Sequence, residues 1–207
     1  MADIVLHTDV LSPYGWAARH VAAEKGVSWR LKPVNLALPA HWKLHPFGKM
    51  PVLEHRGVVV YETLAIVHYI DRAFPGPALQ PAEVLAQAEM LQWISIVNGY
   101  MFPVMNGLLK ERTSAMWRAE GPDDEVLAGF KGPLELQMQY IDRAVAAHDF
   151  LVGGEITLAD SFLLPHLHFV SATPEGAEAL ERAPAAQAWL DRMRGRPSFA
   201  ATTPFGA

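Results

Sequence analysis

The chain has 207 residues, 51% of them apolar and 19% charged, which is enough to bury a sizeable core and allows one or two domains. Lys and Arg number 17 against 22 Asp and Glu, a net charge of -5 that offers no basic face to phosphate backbones and argues against nucleic acid as a partner. Cysteine is absent, so there is no disulfide framework and no thiolate metal site, and any thiol chemistry must use a thiol that arrives with a ligand.

Met1-Ala2-Asp3 and the short apolar run Ile4 to Leu6 carry neither a basic leader region nor a long hydrophobic one. No stretch reaches the roughly 18 apolar residues of a membrane span, so the reading is a cytoplasmic protein with no membrane partner. Ile4 to His7 is β-prone. Asp9 to Pro13 holds breakers and cap residues, and a helical pattern follows from Gly15 to Lys25, closed by Gly26. Val27 to Val34 is a second β-prone run, which makes a parallel βαβ unit. After an irregular stretch from Asn35 to Gly48, Val52-Leu53-Glu54 and Val58 to Tyr61 flank a turn at His55-Arg56-Gly57 and predict a hairpin. Glu62 and Thr63 then open a largely buried helix that Pro75 ends.

Pro75, Gly76, Pro77 and Pro81 mark a change of style. Residues 1–78 read as an α/β domain in the order βαβ, ββα; residues 79–86 form a linker; residues 87–207 form an all-helical domain. Long helices are expected from about Val84 to Arg112, bent by Gly99, Pro103 and Gly107, and from Asp123 to His148. Thr157 to Ala172 follows, with the Thr-x-x-acid capping box at Thr157 and Asp160, and Pro184 to Arg194 is the last.

Three junctions of the first domain could carry chemistry. Ser12, in Ser12-Pro13-Tyr14-Gly15, sits where a helix N-terminus favours an anion such as a thiolate, and its hydroxyl can donate one more hydrogen bond; the same residue equally serves as a plain cap. Met50-Pro51 precedes a short strand. A cis bond there would leave the Met50 amide and carbonyl free to pair with an extended peptide, whereas a trans proline would merely open an edge strand. At Glu62-Thr63 a hydroxyl and helix amides could hold a carboxylate while Glu62 meets an ammonium group; a simple helix cap has the same appearance. If the strand order is right, all three lie at one end of the strands.

The chain resembles the cytosolic glutathione transferases over almost its whole length. The resemblance rests on Ser12-Pro13-Tyr14-Gly15-Trp16 with Glu24-Lys25-Gly26, on His45-Pro46 running through Gly48-Lys49-Met50-Pro51 to Leu53, on Tyr61-Glu62-Thr63 with Ala65-Ile66 and Tyr69-Ile70, and on Gly154, Thr157, Ala159 and Asp160. It implies a thioredoxin-like glutathione-binding domain followed by a helical domain that lines an electrophile pocket, in a serine-type bacterial member with some zeta- and tau-like features. It also implies roles. Ser12 would be the catalytic hydroxyl facing the thiolate of glutathione, the co-substrate. Met50 before a cis Pro51 would pair with the cysteinyl backbone, Glu62 and Thr63 would hold the γ-glutamyl end, and Lys49 would face the glycyl carboxylate. A homodimer acting on a small-molecule electrophile, in detoxification, is the corresponding expectation.

Thr63, Met50 and His45 stand where most relatives carry Ser, Val and Asn. Thr keeps the hydroxyl and a backbone role tolerates Met, so neither of those changes removes a contact. The maleylacetoacetate-isomerising branch looks similar through Ser12, Trp16 and Arg19, but its Ser-Ser-Cys run is Ser-Pro-Tyr here. Without cysteine the chain forms no mixed disulfide with glutathione, which leaves conjugation, addition or peroxide reduction. Tyr100, Met105 and Trp117 on or after the first long helix, together with Tyr14, are candidate lining residues for the apolar pocket, although such side chains more often form core. His166 and His168, two apart on a helix, do not share a face, and no metal is expected. The alternatives are a non-catalytic binding or docking protein of the same fold and a glutathione-dependent cis-trans isomerase.

Overall fold

The computed structural model describes residues 3–36 and 39–204. Met1 and Ala2, Ala37 and Leu38 of the expected irregular stretch, and the last three residues of the expected helical domain lie outside the described residues.

The chain divides into two compact units, Pro81–Arg194 and the remainder. The first contains β1 (Ile4–His7), α1 (Pro13–Glu24), β2 (Trp29–Lys32), α2 (Pro39–Trp42), β3 (Val52–His55), β4 (Val58–Tyr61) and α3 (Thr63–Ala73). Its sheet has the order β2-β1-β3-β4, with β1 parallel to β2 and antiparallel to β3. The β3–β4 turn takes positive φ at both Arg56 and Gly57, as a two-residue hairpin of primed type requires. Ile4 and Leu6 alternate with outward positions along β1, and Leu6 pairs with Leu53 across the sheet. All three are buried with Trp16, Val21, Ile66, Val67 and Ile70 of α1 and α3. The four-residue α2 falls within the stretch read as irregular, too short to leave a periodic signal.

The described segment from Gly195 to Pro204 belongs to the first unit, whereas the change of pattern after residue 78 predicts it as part of the helical domain. Pro197 opens α10 (Pro197–Thr202), a helix that periodicity missed because it has fewer than two turns. α10 is fastened to α1. Trp16 Nε1 donates to Thr202 Oγ1 at 2.9 Å and packs its ring on Phe199, and Arg196 grips Glu24 through Nε and Nη2 at 2.6 and 2.8 Å. Ser198 Oγ also donates to Glu24 and lies 3.1 Å from buried His20 Nε2.

The second unit is helical: α4 (Val84–Ile96), a π-helical turn (Val97–Met101), α5 (Phe102–Ala115), α6 (Asp124–Val145), α7 (Leu158–Ser171), α8 (Pro174–Glu181) and α9 (Pro184–Arg194). Pro103 explains the π turn. It has no N–H for the carbonyl four residues back and its ring crowds that carbonyl, so the chain loosens by one residue and Phe102 N–H donates to Val97 O instead. Gly107 sits where a Cβ would come within 2.7 Å of the Phe130 ring, so the bare backbone lets α5 approach α6. α8, unread in the sequence, has a local signature: Thr173 Oγ1 accepts from Gly176 N–H at 3.0 Å and Pro174 occupies the first helical position. Buried Asp160 accepts from Thr157 N–H, Leu151 N–H and Trp189 Nε1 at 2.9–3.0 Å, so the capping box also ties α7 to α9. His166 lies in the core, and His168 Nδ1 accepts from Arg194 Nε at 3.3 Å. Among the described residues no helix is long and apolar enough to cross a membrane.

Candidate active site

Strand register brings the three junctions together. His7 at the end of β1 pairs with Val52 at the start of β3, and Val52 pairs with Tyr61 at the end of β4. The loop 8–12, the Met50-Pro51 step and the Glu62-Thr63 step therefore emerge at the same end of the sheet.

Ser12 is the N-cap of α1, in extended backbone, with Oγ accepting from Gly15 N–H at 3.1 Å. That bond uses a lone pair and leaves the hydroxyl hydrogen to be donated. The loop before it is held from several sides. Asp9 Oδ1 accepts from Leu11 N–H at 2.8 Å, and Asp9 O accepts from Ser12 N–H at 3.3 Å. Buried Arg19 spans two carbonyls, donating to Val10 O through Nη2 and to Thr202 O through Nη1, both at 2.7 Å. The C-terminal helix thus braces the loop that presents Ser12, a connection across 183 residues that no local pattern signals.

Gly15 faces Thr8 so closely that an added Cβ would stand 2.0 Å from Thr8 Oγ1. Replacing Gly15 with Ala is expected to push the first turn of α1 away from the loop, at a cost of about 1–3 kcal/mol, as for other overpacked sites. Thermal unfolding of the variant beside the parent checks this, and an unchanged melting temperature would count against the packing described.

The Met50–Pro51 peptide bond is cis. Met50 directly precedes the β3 ladder, and its thioether sulfur accepts from Asp9 N–H at 3.2 Å and from Thr8 Oγ1 at 3.7 Å. The side chain read as incidental to a backbone role thus packs on the loop before Ser12. Lys49 is exposed, and its carbonyl lies 2.6 Å from His41 Nε2. Glu62 holds the left-handed backbone that favours glycine, φ 69° and ψ 122°, and caps α3 through its carbonyl, which accepts from Ile66 N–H at 3.0 Å. Its carboxylate makes no cap bond and is 66% exposed, with Oε1 3.5 Å from His45 Nε2. Residues in such conformations cluster at ligand sites, where the fold enforces them. Thr63, the first residue of α3, is buried.

Tyr14 joins this group electrostatically. Burial, and then the Glu62 charge, push its phenol up to about 12, so it is a neutral donor at any physiological pH. The other three lining candidates belong to the second unit and separate from one another. Tyr100 borders a hollow of about 530 Å³ with Ile96, Met101, Val104 and Leu136. Trp117, 90% exposed, borders another of about 520 Å³ with Gly107, Lys110 and Val126. Met105 has no exposed surface and packs as core. Its placement follows from helical spacing, which puts apolar side chains inward whether or not a pocket is present.

Residues 6–78 match the family described as glutathione S-transferase, N-terminal domain, and residues 124–192 match glutathione S-transferase, C-terminal domain. Among curated proteins, the chain is 29% identical to glutathione S-transferase 3 of Zea mays over 98% of this chain and 94% of the relative. It is 28% identical to glutathione S-transferase 1 of Dianthus caryophyllus, over 85% of this chain and 80% of that protein. Among solved structures, that of glutathione S-transferase III in apo form superposes with a TM-score of 0.87 at 27% identity, covering 97% of this chain and 95% of the other.

Proposed function

The chain belongs to the glutathione S-transferase family, and from that premise we propose that it binds reduced glutathione in its first unit, stabilises the thiolate at Ser12 and adds it to an apolar electrophile, or reduces a peroxide with it. The observation that carries this reading is the strand register that gathers Ser12, Met50-Pro51 and Glu62-Thr63 at one end of the sheet. A γ-glutamyl ammonium and carboxylate would meet Glu62 and Thr63, the cysteinyl backbone would lie along Met50, and Lys49 would face the glycyl carboxylate.

A free thiol with a pKa of about 8.5 is mostly protonated at neutral pH, and lowering that value by two units requires roughly 2.7 kcal/mol of preferential thiolate stabilisation. A hydroxyl donor at the positive end of a twelve-residue helix is a physical source for that energy. Proton abstraction by Ser12 is not needed; donation to sulfur suffices. Family membership also supports a homodimer, a cytoplasmic location and a detoxifying role. Conjugation or peroxide reduction is preferred to isomerisation because Pro13 and Tyr14 follow Ser12 in place of Ser-Cys.

Calorimetric titration with reduced glutathione, followed by a panel of generic electrophiles, tests the reading. Saturable binding that Glu62→Ala weakens about tenfold is expected. Absence of binding to the parent chain would overturn the transferase reading and leave a docking protein of the same fold; binding without turnover of any electrophile or peroxide would leave a non-catalytic glutathione-binding protein.

A further inference from the structure

His45 stands beside the site without belonging to any of the three junctions. It is 2% exposed, with its ring 5.0 Å from that of Tyr61 and 6.2 Å from that of Phe47. Phe47 N–H donates to His45 Nδ1 at 3.1 Å. A ring nitrogen that accepts carries no proton, so in the neutral imidazole the hydrogen sits on Nε2. Nε2 lies 3.5 Å from Glu62 Oε1. The loop bond on one side of the ring therefore selects the tautomer whose hydrogen sits on the nitrogen nearer Glu62, at ion-pair distance.

We propose that His45 is a positioning residue for the ammonium group of an amino-acid-type ligand: its Nε2–H holds the otherwise solvent-exposed Glu62 carboxylate in the orientation that receives that ammonium. The proposal rests on the reading of Glu62 given above and adds to it a residue that works through Glu62 without touching the ligand.

A neutral donor is suited to the task because it orients the carboxylate and leaves its negative charge for the ligand. A protonated His45 would pair with Glu62 and offset that charge. The groups facing the ring decide when this happens: burial, with His41 and Lys49 nearby, holds His45 below its ordinary value against the opposing pull of Glu62. His45 is then neutral at physiological pH, and acidification converts it from an orienting group into a competitor for Glu62.

The test uses S-methylglutathione, which has no thiol to ionise, in calorimetric titrations of the full chain between pH 5 and 8. His45→Gln places an amide nitrogen near the position of Nε2 but does not titrate; His45→Asn can still accept from Phe47 N–H but is too short to reach Glu62. The expected result at pH 7.5 is a Kd within about threefold of the parent for His45→Gln and raised about five- to tenfold for His45→Asn, with kcat at saturating glutathione unchanged within twofold in both. The parent's affinity is expected to weaken as the pH falls toward 5, and His45→Gln to lose most of that dependence. Parent-like binding by His45→Asn with loss in His45→Gln would show that His45 only holds its loop, and would overturn the proposal. So would identical pH profiles in parent and His45→Gln. Failure of the parent to bind S-methylglutathione at any pH would instead remove the glutathione reading, and this proposal with it.

Discussion

Replacing Lys25 with Met is expected to destabilise the chain by about 3–5 kcal/mol at pH 7, the range for removing one partner of a buried ion pair. Lys25 Nζ lies 3.1 Å from Asp71 Oδ1, and both side chains are 3% exposed. The pair does more than join α1 to α3. Lys25 Nζ also donates to Pro77 O at 2.7 Å and to Gly76 O at 3.3 Å, while Asp71 accepts from Leu79 N–H at 2.9 Å and Gln80 Nε2 at 2.8 Å. Together they pin the segment that follows α3, where Gly76 at φ 121° passes so close to Lys25 O that a Cβ would stand 2.8 Å away. Met preserves length and apolar contact but leaves Asp71 charged and buried with only its Leu79 and Gln80 donors.

The pH dependence of this loss has a definite sign. Burial alone pushes the Asp71 carboxyl up, but the donors from Leu79, Gln80 and Lys25 outweigh it and hold the group below its ordinary value. A depressed carboxylate contributes stability above its unfolded value of about 3.9, and that contribution is lost as pH falls through the lower folded value. The gap between Lys25→Met and the parent should therefore be widest near neutrality and narrow in acid, as the buried carboxylate that has lost its cation takes up a proton more readily. Urea unfolding at pH 7 and pH 4 measures it; a gap of less than 1 kcal/mol at pH 7, or one that widens in acid, would contradict this account.

Features set by nearest neighbours are legible in the sequence: the Arg56-Gly57 hairpin, the Ser12 cap, the Thr157-Asp160 capping box and the buried α3 each follow from turn chemistry or periodicity over a few residues. At Met50-Pro51 local pattern allowed both isomers, and only the surrounding fold selects cis. What escaped reading depends on partners distant in sequence. The return of α10 to α1 rests on Trp16 and Arg19 meeting Thr202, residues that each look like ordinary helix surface or core when taken alone. His45 was visible only as an unusual residue before Pro46; that it addresses Glu62 depends on how the loop before β3 folds back on the end of β4. Ser12, Met50, Pro51, Glu62 and Thr63 could be singled out because each sits at a strand or helix junction, where local chemistry is distinctive. Met105 and Trp117 could not be sorted into core and surface because apolar periodicity does not report which helix face a second element covers.

Changing Ser12 to Ala is expected to lower the transfer rate by about a hundredfold or more, on the order of 3 kcal/mol for one donor lost from a developing or resident anion. The same substitution removes the cap bond to Gly15 N–H, which costs about 1 kcal/mol of stability. These two effects are separable. Loss of the cap lowers the melting temperature whether or not glutathione is present; loss of the donor raises the thiol pKa of bound glutathione, by as much as two units if the hydroxyl supplies most of the roughly 2.7 kcal/mol. Thiolate absorbance of the complex as a function of pH reads the second directly, and affinity for the thiol form should change little because Met50, Glu62 and Thr63 remain. Ser12→Thr keeps a hydroxyl at the same N-cap and should recover much of both effects. An unchanged thiol pKa in Ser12→Ala would assign Ser12 to the cap alone and move the search for the thiolate's donor to Tyr14, two positions along, whose phenol burial and the Glu62 charge keep neutral.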